Sequence, residues 1–351
     1  MRILIIGGTR FIGPPVATRL SGSGHAVTVF HRGESEGELP PGVEHVHGDR
    51  HRLADFQDEI RRVQPEVVLD MAPFTEVDAQ EIVNAFRGIA GRIVAVSSQD
   101  VYRAYGRLHG SEAGPPEAGL LTEDAPLRET LYPYGGNGRG MDSYDKIPIE
   151  RVVMGSPDFA GTILRLPMVY GERDYQRRLA LELQRMDDGR PAILLEEKFA
   201  GWRWTRGYVD NVAAGIALAV TDPRAAGRIY NLGDPDALSY ADWVRVMGRA
   251  AGWSGEVIVV PEGRLPAQLR PPAGDYAHDL AADTSRIRQE LAYIEPVPFF
   301  QALLRTIDWE RSHRPAGERA IDYAAEDALL EELRSAQWPT EEAAPPSEAG
   351  L

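Results

Sequence analysis

Gly7-Gly8-Thr9-Arg10-Phe11-Ile12-Gly13 follows directly on a short apolar run at residues 3–6. Glycines at this spacing allow a tight turn and close backbone approach to an anion. They also let the next helix pack on the strand. A helix opening there adds N–H groups with no intrahelical partner, so the pattern fits a dinucleotide pyrophosphate. The plainer reading is a turn kept for packing alone. Pro14 and Pro15 come next, and in a first helical turn their missing N–H groups lose no hydrogen bond. A second apolar run at 26–30 ends in His31-Arg32-Gly33. Folds that bind NAD end this strand in a carboxylate that holds the ribose hydroxyls. A guanidinium stands here instead, which suits a 2′-phosphate. With Arg10 in the glycine loop, it favours NADP(H) over NAD(H). The alternative for Arg32 is a solvated turn residue. Downstream, Gly201-Trp202-Arg203-Trp204-Thr205-Arg206 puts two indoles and two guanidiniums in six residues. Flat rings and charged forks suit a sugar or nucleotide ring with its phosphate, with Arg206 as the candidate contact. A half-buried strand with its indoles in the core gives the same pattern.

The elements that would position these groups alternate along the first half. Strands are predicted at 3–6, 26–30, 43–46, 67–69 and 93–96, and helices at 11–20, 53–63 and 79–86. Such alternation implies right-handed crossovers and a parallel sheet covered on both faces. Residues 106–140 are rich in Gly, Pro and Glu and read as loops over a cleft. Helical pattern resumes at 144–154, and a strand follows at 161–166. The second half mixes helices at 176–186, 212–220 and 240–251 with strands at 228–232 and 256–260. The fold class is therefore α/β: a Rossmann-type doubly wound parallel sheet with a smaller C-terminal α/β substrate domain. The nucleotide-binding domain is expected over 1–170, with strands near 205–212 and 228–233 returning to it. A substrate domain is expected over 171–335, and a disordered Pro-, Ala- and Glu-rich tail over 336–351.

With 351 residues, 43% of them hydrophobic, the chain can bury a sizeable core. It has no cysteine, so disulfides, thiolate zinc sites and a cysteine nucleophile are excluded. The net charge of −15 argues against nucleic acid as the main partner. The apolar start runs straight into glycines, unlike a secretory signal, and no apolar run approaches the roughly 20 residues of a membrane span. A cytoplasmic protein is expected, with no membrane partner. No metal is expected: the eight histidines lack ligand spacing, and His45, His47 and His51 flank one surface loop. A G-x-S-x-G elbow is missing, which argues against a hydrolase.

GGTRFIG and GHAVTVFHRG, with the segments that follow, resemble the extended and atypical short-chain dehydrogenase/reductase superfamily, including its NAD-dependent epimerase/dehydratase proteins. Gly48-Asp49-Arg50 resembles the Gly-Asp step whose carboxylate meets the adenine amino group. Ser97-Ser98-Gln99-Asp100-Val101-Tyr102 resembles the segment that carries the active-site hydroxyl, which assigns that role to Ser98. The stretch at 164–171, with Pro167, is similar to the one lining the nicotinamide. Arg206 to Val212 is similar to the R-x-x-V-D-x-V stretch whose arginine faces a substrate phosphate, and Tyr230-Asn231-Leu232-Gly233 matches the strand after it. The resemblance implies NAD(P)-dependent hydride transfer on a small molecule, a nucleotide sugar among the candidates, in a protein compatible with a homodimer. GGTRFIG also resembles a subgroup similar to chloroplast stem-loop RNA-binding proteins. That implies a second class of function, a cofactor-binding regulatory or RNA-binding protein without redox chemistry.

The family's proton chemistry rests on Tyr-x-x-x-Lys, where the lysine binds the nicotinamide ribose and lowers the tyrosine pKa. Here Lys146 is followed by Glu150 at the family spacing, but Asp142 stands four residues before it. Tyr144 is two before, about 200° round a regular helix. Pro148 would kink such a helix, or the helix starts near Asp145; either brings Tyr144 and Lys146 together. Tyr144 is thus a catalytic candidate or a packing residue, and Asp142 an acid/base partner or a cap. Tyr102, Tyr132 and Tyr134 are the alternative proton donors.

Overall fold

The computed structural model describes residues 1–34, 37–136, 140–315, 317 and 320–335, so the tail expected over 336–351 lies outside the described residues. The strands are β1 (Arg2–Ile6), β2 (Ala26–His31), β3 (Glu44–His47), β4 (Val67–Asp70), β5 (Arg92–Ser98), β6 (Ala160–Leu166), β7 (Met168–Tyr170), β8 (Ala192–Glu196), β9 (Arg206–Tyr208), β10 (Arg228–Asn231) and β11 (Glu256–Val260). The first helices are α1 (Gly13–Gly22), α2 (Gln57–Val63), α3 (Glu76–Phe86), α4 (Arg103–Leu108), α5 (Lys146–Gly155) and α6 (Ala180–Asp187). They continue as α7 (Glu197–Gly201), α8 (Val209–Thr221), α9 (Tyr240–Ala251), α10 (Ser285–Leu291), α11 (Phe299–Ser312) and α12 (Ala324–Ser335).

Seven strands form one sheet in the order β10-β6-β5-β4-β1-β2-β3, and every pairing in it is parallel. Both faces are covered. Ile3 and Ile5 of β1 join Val16 and Leu20 of α1 and Val212 and Ile216 of α8 in one core cluster. Leu4 and Ile6 join Ile82 and Phe86 of α3 with Ile149 and Val153 of α5 in the other. Burial on both sides is why these strands read as continuous apolar runs. The chain leaves β1 towards β2 on one side and β4 lies on the other, and in such sheets ligands bind where the order reverses.

In the second half, β10 lies beside β6 in the main sheet. Residues 206–208, expected in that sheet, instead pair with β7 in a separate two-stranded parallel sheet. β8 and β11 form another, capped by Leu329, Leu330 and Leu333 of α12.

Local differences from the pattern have local causes. α1 begins at Gly13 rather than at residue 11, because Phe11 takes φ 39° and still belongs to the turn. Over 53–63, a 3₁₀ segment at Arg50–Phe56 precedes α2. α6 starts at Ala180, just after Arg177 at φ 47°. α5 starts at Lys146 with Asp145 as its N-cap. Pro148 therefore sits in the first turn, where its missing N–H is harmless.

Candidate active site

Two clefts open at the C-terminal side of the sheet. The smaller, of about 740 Å³, is lined by Gly7 to Ile12, His31, Arg32, Glu34, Asp49, Arg50, Ser98, Tyr144, Lys146 and Pro167. The larger, of about 870 Å³, is lined by residues of both halves, including Ser98, Gln99, Asp100, Tyr134, Tyr144, Pro167, Trp204, Tyr240 and Tyr276. The two share a wall that includes Phe74, Ser98, Tyr144, Leu166 and Pro167.

The glycine turn forms the floor of the smaller cleft. Gly8 has φ 82°, and a Cβ on Gly13 would stand 2.1 Å from the Gly8 oxygen. Only bare backbone lets the turn lie against α1 this closely. Pro14 and Pro15 occupy the next two helix positions, so the N–H groups offered to an anion come from the turn before them. Arg50 fixes the neighbouring strand end: it donates to both carboxylate oxygens of Asp70, at 3.0 and 2.8 Å, and to Ala72 O at 2.6 Å. Asp49 caps the 3₁₀ segment by accepting from the His51 N–H.

At the far end Arg32 is exposed and pairs with Glu34 at 3.1 Å. Glu34 is a carboxylate of the cleft that strand-end reasoning passed over, because it stands three residues beyond β2. His31 is buried; its Nδ1 accepts from Gly33 N–H, and its Nε2 lies 2.9 Å from His45 Nδ1. The loop histidines divide: His45 and His47 meet His31, while His51 turns to Asp78 and Glu81.

Lys146 is buried at the start of α5 and donates to Pro73 O and, at 3.2 Å, to Val96 O. An ammonium has three N–H groups, so one remains for the cleft it lines. Burial pushes its pKa down to about 8. The remaining N–H and the Cβ-free turn both fit a dinucleotide, which Gly7 to Gly13 would hold at the pyrophosphate and Lys146 at a ribose. Tyr144 precedes the helix, so the two-residue spacing does not separate it from Lys146: Nζ stands 5.4 Å from the ring centre.

The Tyr144 hydroxyl donates to Asp100 Oδ2 at 3.0 Å, as does Tyr134 at 3.3 Å. Burial raises the Asp100 carboxyl above the usual carboxylate range, against the opposing charges of Arg128 and Lys146. Burial and then the Asp100 charge raise the Tyr144 phenol, while a hydrogen bond from Ser98 lowers it. Tyr144 is therefore a neutral phenol that donates to the Asp100 carboxyl, not a tyrosinate base. Asp100 was missed in the sequence, although it lies between Ser98 and Tyr102 in a segment singled out there. Its acidity was visible and its burial was not.

Other candidates fall away from the junction. Asp142 is exposed and accepts from Gly136 N–H. Tyr102 is buried, donates to Asn231 and lines neither cleft. Tyr132 is exposed. Glu150 forms a buried bidentate pair with Arg165 and accepts from Ser97. Arg206 lines neither cleft: it is buried, 4.4 Å from the Trp243 ring centre, and donates to Trp204 O. The guanidiniums in the larger cleft are Arg178, Arg185 and Arg270.

Sheet order and glycine turn define a Rossmann-type fold, and the candidate site lies where its two clefts meet. The model of the NAD dependent epimerase/dehydratase family matches residues 3–233, and the chain belongs to that family, whose enzymes include epimerases, dehydratases and reductases. A 2'-dehydrokanamycin reductase of Streptomyces kanamyceticus is 26% identical over 293 residues, covering 82% of this chain and 75% of that protein. The dTDP-glucose 4,6-dehydratase of Bacillus anthracis, solved in complex with NAD, superposes with TM-score 0.66 at 17% identity over 89% of this chain and 97% of that one. The Thermus thermophilus UDP-glucose 4-epimerase, also with NAD, gives TM-score 0.64 at 22% identity over 89% and 99%. None of these matches favours the RNA-binding alternative. Among the described residues, no helix is long and apolar enough to cross a membrane.

Proposed function

We propose that this chain is an NADP(H)-dependent cytoplasmic oxidoreductase that transfers hydride at a carbinol or carbonyl carbon of a small molecule held in the larger cleft. The observation that carries this reading is the shared wall, where Ser98 and Tyr144 face both clefts and Lys146 stands beside the Tyr144 ring. The nicotinamide, when bound, supplies or accepts the hydride. In reduction the carbonyl carbon receives that hydride and its oxygen receives the Tyr144 proton, giving an alcohol and oxidised cofactor. Ser98 orients the substrate oxygen, Asp100 holds the phenol at the junction by accepting its hydrogen bond before substrate binds, and the phenol regains its proton from water reaching the cleft. Reduction also agrees with the name of the Streptomyces kanamyceticus relative. The preference for NADP(H) rests on Arg32 and Arg10 at the adenosine end, with Glu34 as the opposing charge.

The test is turnover of NADPH with carbonyl compounds, followed at the nicotinamide absorbance. Tyr144→Phe is expected to lower turnover by about 10²–10⁴-fold while leaving NADPH affinity unchanged. Undiminished turnover in that variant would remove Tyr144 from the chemistry.

A further inference from the structure

The larger cleft has a one-sided hydrogen-bonding demand. Gln99 and Asp100 are 5% and 6% exposed and both line it. Gln99 Oε1 and Asp100 Oδ1 are buried without a hydrogen-bond partner among the described residues. Gln99 Nε2 is spent on Leu232 O, and Asp100 Oδ2 on the two tyrosines. No residue lining this cleft has a buried donor in the same position among the described residues. Unpaired buried acceptors are costly, at about 1–3 kcal/mol each, so the site is completed by a ligand that donates.

Charge points the same way. Arg178 pairs with Asp174 at 2.7 Å and Arg185 with Glu326 at 2.6 Å. Arg270 bonds Leu265 O at the exposed rim and is the one lining guanidinium with no carboxylate partner among the described residues. Against it stand Asp100, Glu182 and Glu196. A diphosphate brings two negative charges and only acceptor oxygens, and would meet a wall already rich in both. The cleft also carries an aromatic face: Phe199, Trp204, Tyr240 and Tyr276 are partly exposed and line it. Such faces receive the apolar side of a ring and attract a cation.

We infer that the substrate is a phosphate-free ring compound rich in amino or hydroxyl groups, with a donor seated on Gln99 Oε1 and Asp100 Oδ1 and a ring face on the aromatic wall. This rests on the larger cleft being the substrate side of the reaction proposed above.

A matched series on one ring tests it: glucosamine, glucose, glucose 1-phosphate and UDP-glucose, titrated into the NADP-loaded protein by calorimetry. The expected order is glucosamine, then glucose, with both phosphorylated ligands at least tenfold weaker than glucosamine. Gln99→Met should weaken glucosamine several-fold while NADPH affinity, read separately, stays unchanged. Tighter binding of either phosphorylated ligand overturns the inference, and so does failure of glucosamine and glucose to bind. Those outcomes leave the hydride-transfer reading intact, which fails instead on NADPH binding or on Tyr144→Phe.

Discussion

Lys146 carries the sharpest consequence at the scale of single residues. Its pKa falls from about 10.4 in the unfolded chain to about 8 in the fold, by burial. Between these values the unfolded chain holds more protons on this residue, so its contribution to stability rises with pH. Lys146→Met is therefore expected to be more stable than the parent near neutral pH without cofactor, with the gap in urea midpoint shrinking towards about pH 10. A constant gap would mean that the buried ammonium is not strained. Arg32 gives a second test. If it holds a 2′-phosphate, Arg32→Ala removes a charge-assisted hydrogen bond of about 1.5–3 kcal/mol, so NADPH affinity should drop about tenfold or more while NADH affinity stays level. Equal losses for both cofactors would reduce Arg32 to a rim charge held by Glu34.

At the scale of elements, the start of α5 decides whether the active site assembles. Asp145 caps the helix through Ile147 N–H, accepts from Tyr132 N–H at 2.7 Å and pairs with the fully buried Arg128 at 3.0 Å. Asp145→Ala strands that guanidinium, and a loss of about 3–5 kcal/mol in urea unfolding is expected, larger than for Asp145→Asn. Gly13→Ala should abolish cofactor binding, since the new Cβ meets Gly8 backbone that cannot step aside. The sequence made some of this legible. Glycine spacing and flanking periodicity located the phosphate turn, and Pro148 pointed to a helix beginning near Asp145. Other features depend on contacts distant in the chain. Asp100 is buried at the junction, where Tyr134 and Tyr144, more than thirty residues away in the chain, both donate to it. Arg206 was assigned to the substrate, yet it is buried beside Trp243 and lines neither cleft, although Trp202 and Trp204 just before it line the larger one. The contact with Trp243, more than thirty residues away in the chain, was not readable from the local pattern.

At the scale of the whole molecule, the second half completes the larger cleft. α12 seals it from outside: Leu329, Leu330 and Leu333 pack on Ala192, Leu194, Val260 and Leu265, and Glu326 pairs with Arg185 in the wall. A chain ending before α12 would expose this patch, with increased binding of a hydrophobic dye and weakened ligand binding in the larger cleft. The glycine turn, which lines the other cleft with no residue of α12, should keep its NADPH affinity. Unchanged dye binding would show that the helix is dispensable. The wall between the clefts has one more effect. With Tyr144 and Ser98 holding the oxygen, the opposite carbonyl face could be offered only by a half-turn about the C=O axis. That turn would exchange the two substituents between unlike walls of the larger cleft, aromatic at Phe199, Trp204, Tyr240 and Tyr276 and carboxylate-bearing at Asp100, Glu182 and Glu196. The enzyme should therefore be a filter of handedness: a prochiral ketone is expected to leave as a single mirror-image alcohol, and a racemic alcohol to be consumed only to half.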